Sequence, residues 1–73
     1  MKKTRFVVMA DGSVGTEEMN YFEPGTEVFT TDPNSPLVQS RVYRIESCSE
    51  TEPVCRVTAY HWPVDTSTLQ AVV

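Results

Sequence analysis

Apolar side chains recur along the chain in short runs, and the gaps between the runs are filled by Gly, Pro, Asp, Asn and Ser. Runs of this kind read as strands separated by turns. Residues 5–10 (RFVVMA) are dense in β-branched and aromatic side chains and predict a first strand, closed by the turn signal Asp11-Gly12. The next stretch changes character. Thr16 can cap a helix, Glu17 and Glu18 suit the positive end of its dipole, and Met19 and Phe22 have the spacing of two residues on one buried helical face. Pro24 and Gly25 end that element, because the residue before a proline avoids the α region. A second strand after the turn is the alternative. The run Glu-Glu-Met-Asn suits a strand poorly, so a helix of about two turns is expected, stable only when docked.

Residues 26–31 (TEVFTT) predict a further strand, and the loop DPNSP at 32–36 follows. The longest strand is expected within 37–47, centred on RVYRIE at 41–46. After the loop SETEP at 49–53, residues 54–61 alternate, with Cys55, Val57 and Ala59 on one face and Arg56, Thr58 and Tyr60 on the other. These two strands and their loop predict a hairpin with Cys48 and Cys55 near its closed end. Trp62 is expected to close the core. Beyond Pro63 the apolar period decays, and residues 64–73 read as a flexible tail.

Composition then bounds the size of the interior. A chain of 73 residues is one small domain, and 40% apolar residues leave a thin core. The fold class expected is α+β: a small, mostly antiparallel sheet of about four strands, or a partial barrel, with one short helix. The single domain covers residues 1–63, with a basic N-terminal arm at 1–5, and the flexible tail covers 64–73. So little interior leaves scant room for a preorganised catalytic pocket.

Charge is distributed unevenly. Lys2, Lys3 and Arg5 are three of the six basic residues, whereas the rest of the chain carries all ten acids and the net charge is −4. An acidic body repels phosphate, so direct DNA binding is not expected. No apolar run approaches the ~20 residues of a membrane span. The opening resembles a secretory leader in its basic start, but Asp11 cuts its apolar run short, and a cytoplasmic location is expected. Two cysteines and the lone His61 do not complete a zinc site, and no CxxC spacing occurs. Reduced thiols at Cys48 and Cys55 are therefore expected, with a disulfide across the hairpin as the rival. No cofactor and no catalytic residue are expected. Cys55 and His61 stand about 20 Å apart along one strand, too far for proton transfer.

The remaining candidates are contact residues. Arg5 and Phe6 are fixed at the start of the sheet, so the arm projects from a defined edge, and Lys2 and Lys3 are expected to be solvated. Arg44 lies on the long strand and can join the arm as a cationic contact. Lys2, Lys3, Arg5, Phe6 and Arg44 are therefore the expected partner-binding residues. The acids Glu17, Glu18, Glu23 and Glu27 form either a solvated face or a mimic of nucleic-acid phosphates.

In its length, its opening MKKTRFVVMADG and its acidic body, the chain resembles the small regulators by which lytic phages of Xanthomonas bind the host RNA polymerase. The resemblance implies a monomeric, non-enzymatic adaptor that docks on the amino-terminal part of the polymerase's largest subunit, near the RNA exit channel. It also implies inhibition of initiation through the sigma factor and read-through of intrinsic terminators. The alternative from another functional class is an acidic nucleic-acid mimic that blocks a DNA-binding or defence protein.

Overall fold

The computed structural model describes residues 2–73; Met1, the first residue of the expected 1–5 arm, lies outside the described residues. Among these, the chain forms seven strands and no α-helix: β1 (Lys2–Val8), β2 (Val14–Asn20), β3 (Glu27–Phe29), β4 (Tyr43–Cys48), β5 (Val54–Val57), β6 (Val64–Asp65) and β7 (Gln70–Ala71). A single 3-10 turn at Thr66–Thr68 separates the last two strands. The strands make two antiparallel sheets, a two-stranded β1–β2 hairpin and a five-stranded sheet in the order β6-β5-β4-β3-β7.

The expected α+β class is thus corrected to all-β, because the segment read as a helix is β2. The turn decides the matter. Gly12 donates to the Met9 carbonyl at 2.9 Å, Met9 N donates to the Ser13 carbonyl at 2.8 Å, and Gly12 sits at φ 85°. This is the three-residue hairpin loop that ends in a left-handed residue, a conformation that glycine adopts without strain. Asp11 tightens it by accepting from both N and Oγ of Ser13. Once the loop is set, the register places Arg5 opposite Glu17 and Lys3 opposite Met19. Cross-strand pairing with the opposite charge of Arg5 compensates for the poor strand propensity of Glu17, whereas Glu18 faces Thr4.

The tail is also corrected. Val64 and Leu69 are 2% and 3% exposed, and Thr66 between them is 1% exposed. β6 pairs with β5, and β7 pairs with β3, so residues 64–71 link the two edges of the five-stranded sheet. A flat sheet of five strands spans about 19 Å between its outer strands, and a 3-10 turn with its flanks covers much less. The sheet must therefore coil toward closure, which brings Val64 and Leu69 over one core. That core comprises Val28, Leu37, Tyr43, Ile45, Cys55, Val57, Val64 and Leu69. Trp62, expected inside, is 70% exposed.

The strands expected at 37–47 and 54–61 are shorter than their apolar patterns. Residues up to 42 precede β4 as loop, with Leu37 plugged into the core and Tyr43 Oη accepting from Val38 N at 3.1 Å. β5 stops at Val57, because Ala59 turns left-handed at φ 66°. Within the β4–β5 ladder the register shifts: Ile45 faces Val57, whereas Ser47 faces Arg56 and Cys48 faces Cys55. Two steps along β4 answer to one along β5, so Glu46 is the extra residue of a β-bulge. Without it, Cys48 would face Val54.

The bulge explains why the expectation of reduced thiols fails. Cys48 and Cys55 stand directly opposite, with Cα atoms 4.0 Å apart, and are joined as a disulfide. Cross-linking so short a loop restricts the unfolded chain by about 2–3 kcal/mol, a useful contribution in a chain with so thin a core. Among the described residues no helix is long and apolar enough to cross a membrane.

Docking of the tail has a direct test. Leu69→Ala should destabilise the protein by about 2–4 kcal/mol, the usual cost of emptying a leucine site in a core. Val72→Ala, at a half-exposed side chain, should stay within about 0.5 kcal/mol. Urea unfolding followed by far-UV circular dichroism measures both, and equal, near-zero effects would restore the free tail.

Candidate protein-interaction site

The β1–β2 hairpin stands apart from the core. None of the core residues comes from β1, and β2 supplies only Met19, which is buried outside the main cluster. Alternation along paired strands divides the hairpin into two faces. Lys3, Arg5 and Val7, with their partners Met19, Glu17 and Gly15, form the less exposed face. Lys2, Thr4, Phe6 and Val8, with Asn20, Glu18, Thr16 and Val14, form the other.

The inner face is charged and its charges are engaged. Lys3 Nζ bonds Glu50 at 2.7 Å and lies 3.8 Å from the centre of the Tyr21 ring. Arg5 divides its guanidinium between two partners, donating to Glu17 Oε2 at 2.7 Å and to the Thr51 carbonyl at 2.9 Å. Its Nε is shut away from solvent without an acceptor. Glu50 and Thr51 belong to the β4–β5 loop, so this loop grips β1. The hydrogen bond from Lys3 holds the Glu50 carboxyl below its ordinary range, and the same bond raises the Lys3 ammonium.

The outer face carries the reverse pattern. Phe6, Val8 and Val14 are 80%, 79% and 69% exposed. Val8 and Val14 are directly paired, and Phe6 is one pair up the ladder on the same face. Three large apolar side chains displayed together on one face of a hairpin form an apolar patch rather than scattered surface residues, which makes this face the candidate contact surface. Lys2 lies at the root of this face and is exposed.

The expected binding residues are therefore split. Lys2 and Phe6 share the outer face. Lys3 and Arg5 point the other way and are held by Glu50, Glu17 and Thr51. Lys3 was expected to be solvated and is instead ion-paired, since the register sets it against the loop. Arg44 lies in β4 opposite Glu27, four residues before the closed end of the β4–β5 ladder at Cys48. It does not join the hairpin, and its side chain makes no ion pair among the described residues. Sequence reading missed Val8 and Val14, although both flank the Asp11-Gly12 turn and alternation from Lys2 puts Val8 on the face of Phe6. It also passed over Glu50 as a loop acid, and no local pattern marks that residue as the partner of Lys3.

The other chemical candidates are used structurally. Cys48 and Cys55 are bonded to each other, and the exposed His61 offers its backbone carbonyl to Arg56 at 2.9 Å. The acids expected as one cluster are divided, with Glu17 tied to Arg5 on the inner face and Glu18 on the outer. Compared with protein-family models, curated proteins and solved structures, the chain matches none of them.

The depressed Glu50 carboxyl has a pH consequence. A group whose folded pKa is lowered contributes stability above its unfolded pKa, and that stability is lost as pH falls through the folded value. Followed by carboxyl carbon NMR, Glu50 should titrate below the 4.5 of a free side chain. In Lys3→Ala the midpoint should return to that value. An unshifted midpoint in the parent protein would mean that the loop does not hold β1 in solution.

Proposed function

We propose that this chain is a non-enzymatic, protein-binding regulator of bacterial host RNA polymerase, acting in the host cytoplasm. It would inhibit transcription initiation and promote read-through of intrinsic terminators by docking near the RNA exit channel, on the amino-terminal part of the largest subunit. The observation that carries a binding role is the outer face of the β1–β2 hairpin. Phe6, Val8 and Val14 remain in water although the protein has few apolar side chains to spare for its core. The choice of polymerase as partner rests on the resemblance of the chain's opening and acidic body to small phage regulators.

The outer face supplies what a protein interface needs, an aromatic anchor with apolar neighbours and a polar rim. Lys2 forms that rim at the hairpin root. The polymerase would provide any contact with nucleic acid, so the net negative charge is no obstacle. The mimic reading has less support, because an acidic surface that imitates phosphates requires its carboxylates on one face. Here Glu17 is consumed by Arg5 and Glu18 faces the other way.

Purified polymerase holoenzyme gives the test. Phe6→Ala should weaken binding by about 1–3 kcal/mol, as truncation of an interface anchor does. Lys2→Ala should chiefly slow association and flatten its dependence on salt, the behaviour of a rim charge. Neither change removes a core contact, so both variants should keep the parent's unfolding midpoint. Parental affinity in a folded Phe6→Ala, Val8→Ala double variant would remove the hairpin from the interface.

A further inference from the structure

The disulfide and the grip on β1 share one loop. Cys48 and Cys55 close the base of the segment that carries Glu50 and Thr51, and these two residues hold Lys3 and Arg5. No other side-chain hydrogen bond or ion pair joins β1 to the five-stranded sheet or its loops among the described residues. We propose that the Cys48–Cys55 bond is a redox latch: oxidised, it shapes the loop that clamps the β1–β2 hairpin against the body, and reduced by a dithiol it lets the hairpin swing free.

Three features make the coupling local. Cys55 is 2% exposed and its sulfur lies 3.1 Å from the Thr66 hydroxyl in the core, so it is fixed. Cys48 is only half-buried and precedes the loop directly. Two thiols cannot remain at bonding distance, so on reduction the displacement falls on Cys48 and is passed to Ser49. Ser49 organises the loop, accepting at its Oγ from the backbone N of both Thr51 and Glu52. The clamp it supports is itself weak. Lys3–Glu50 is a part-exposed pair, of the kind that contributes little by itself, and Arg5 reaches the loop through a single hydrogen bond, to the Thr51 carbonyl. A change in the loop removes the polar contacts of β1, and the hairpin then pivots about the buried Met19 of β2, which packs near the 3-10 turn.

The exchange balances as ordinary thiol–disulfide chemistry. A thiolate of the dithiol bonds to Cys48 Sγ, the bond between the two cysteines breaks, and its electron pair leaves on Cys55 Sγ. The Thr66 hydroxyl is placed to hydrogen-bond that thiolate before it takes a proton. The second thiol of the reductant then displaces Cys48, which leaves as a thiol, and the reductant departs as its own disulfide. A crevice beside Cys48, bordered by Ser47, Arg56 and Pro63, gives access. A reducing cytoplasm would supply such dithiols. The latch rests on the proposed polymerase reading only for what the freed hairpin engages.

The test therefore uses the isolated full chain without a partner. Amide hydrogen exchange and the Glu50 titration are measured for the oxidised protein, for the protein in dithiothreitol and for Cys48→Ser/Cys55→Ser. On reduction, exchange at β1 and β2 amides should quicken by roughly tenfold or more, while Val28 and Ile45 keep their protection, the signature of local rather than global opening. The Glu50 midpoint should return to the ordinary value. Glu50→Gln with the disulfide intact should release the hairpin in the same way. An unchanged Glu50 midpoint in the reduced, folded chain would overturn the latch. So would simultaneous loss of protection at Val28 and Ile45, because the bond would then be a staple of the whole fold. Failure to bind polymerase in either redox state, with the hairpin released as expected, would count against the polymerase reading and leave the latch standing.

Discussion

The extra residue at Glu46 sets which positions of β4 and β5 face each other, and much else depends on that offset. It brings Cys48 opposite Cys55 at the closed end of their hairpin. The loop beyond them is thereby held short, with Glu50 and Thr51 presented to the side where β1 lies. Lys3 and Arg5 then find partners across 47 and 46 residues of sequence. A one-residue change of register would face Cys48 toward Val54 and leave the loop without its cross-link. The bulge in the other sheet thus helps to position the β1–β2 hairpin, together with the buried Met19 of β2.

The same offset separates two kinds of stability. The coiled sheet is held by apolar packing among residues of β3 to β6 and the loop residues Leu37 and Leu69, which share one interior. The β1–β2 hairpin is held by its own ladder, by Met19 and by polar contacts to a loop. An isolated two-stranded hairpin is marginal in water, so this part of the molecule depends on its docking. Interactions of the first kind survive salt, whereas those of the second weaken as salt screens them. The hairpin is therefore the element most readily repositioned without disturbing the rest.

Much of the sheet was legible in the sequence. The first strand, the Asp11-Gly12 turn and the β4–β5 hairpin follow from β-branched runs and turn residues. The supposed helix was not, because Thr16-Glu17-Glu18 satisfies helix-start rules as well as it satisfies a strand opposite Arg5, and only the long-range partner decides. The last strands escaped for another reason. Two residues each are too few to display a period, and Val64, Thr66 and Leu69 are brought inward by a 3-10 turn whose spacing matches neither a strand nor an α-helix. Trp62 misled because size favours burial only where the chain can turn the ring inward, and the segment after the left-handed Ala59 does not. At the candidate site, the pairing of Lys2 with Phe6 on one face follows from alternation. The separation of Lys3 and Arg5 from them follows too, but their partners Glu50 and Thr51 could not be found without the fold.

The faces of the hairpin are inverted relative to an ordinary two-stranded ribbon against a body. Such a ribbon packs its apolar side inward and solvates its charges, whereas here Lys3, Arg5 and Glu17 face the less exposed side and Phe6, Val8 and Val14 face water. A slip of β1 by one residue would exchange its two faces, so the observed register must be favoured by something other than burial. The turn at Gly12 sets it, and the Arg5–Glu17 pair and the Thr51 carbonyl reinforce it, since Phe6 in place of Arg5 would leave the Glu17 carboxylate and that carbonyl without their donor. Charge pairing on the inner side thereby keeps the apolar side outward. Exposed apolar area of this kind lowers solubility and adds nothing to the stability of the free protein. The inner ion pairs thus hold Phe6, Val8 and Val14 toward solvent, and Lys3 and Arg5 serve to orient their uncharged neighbours.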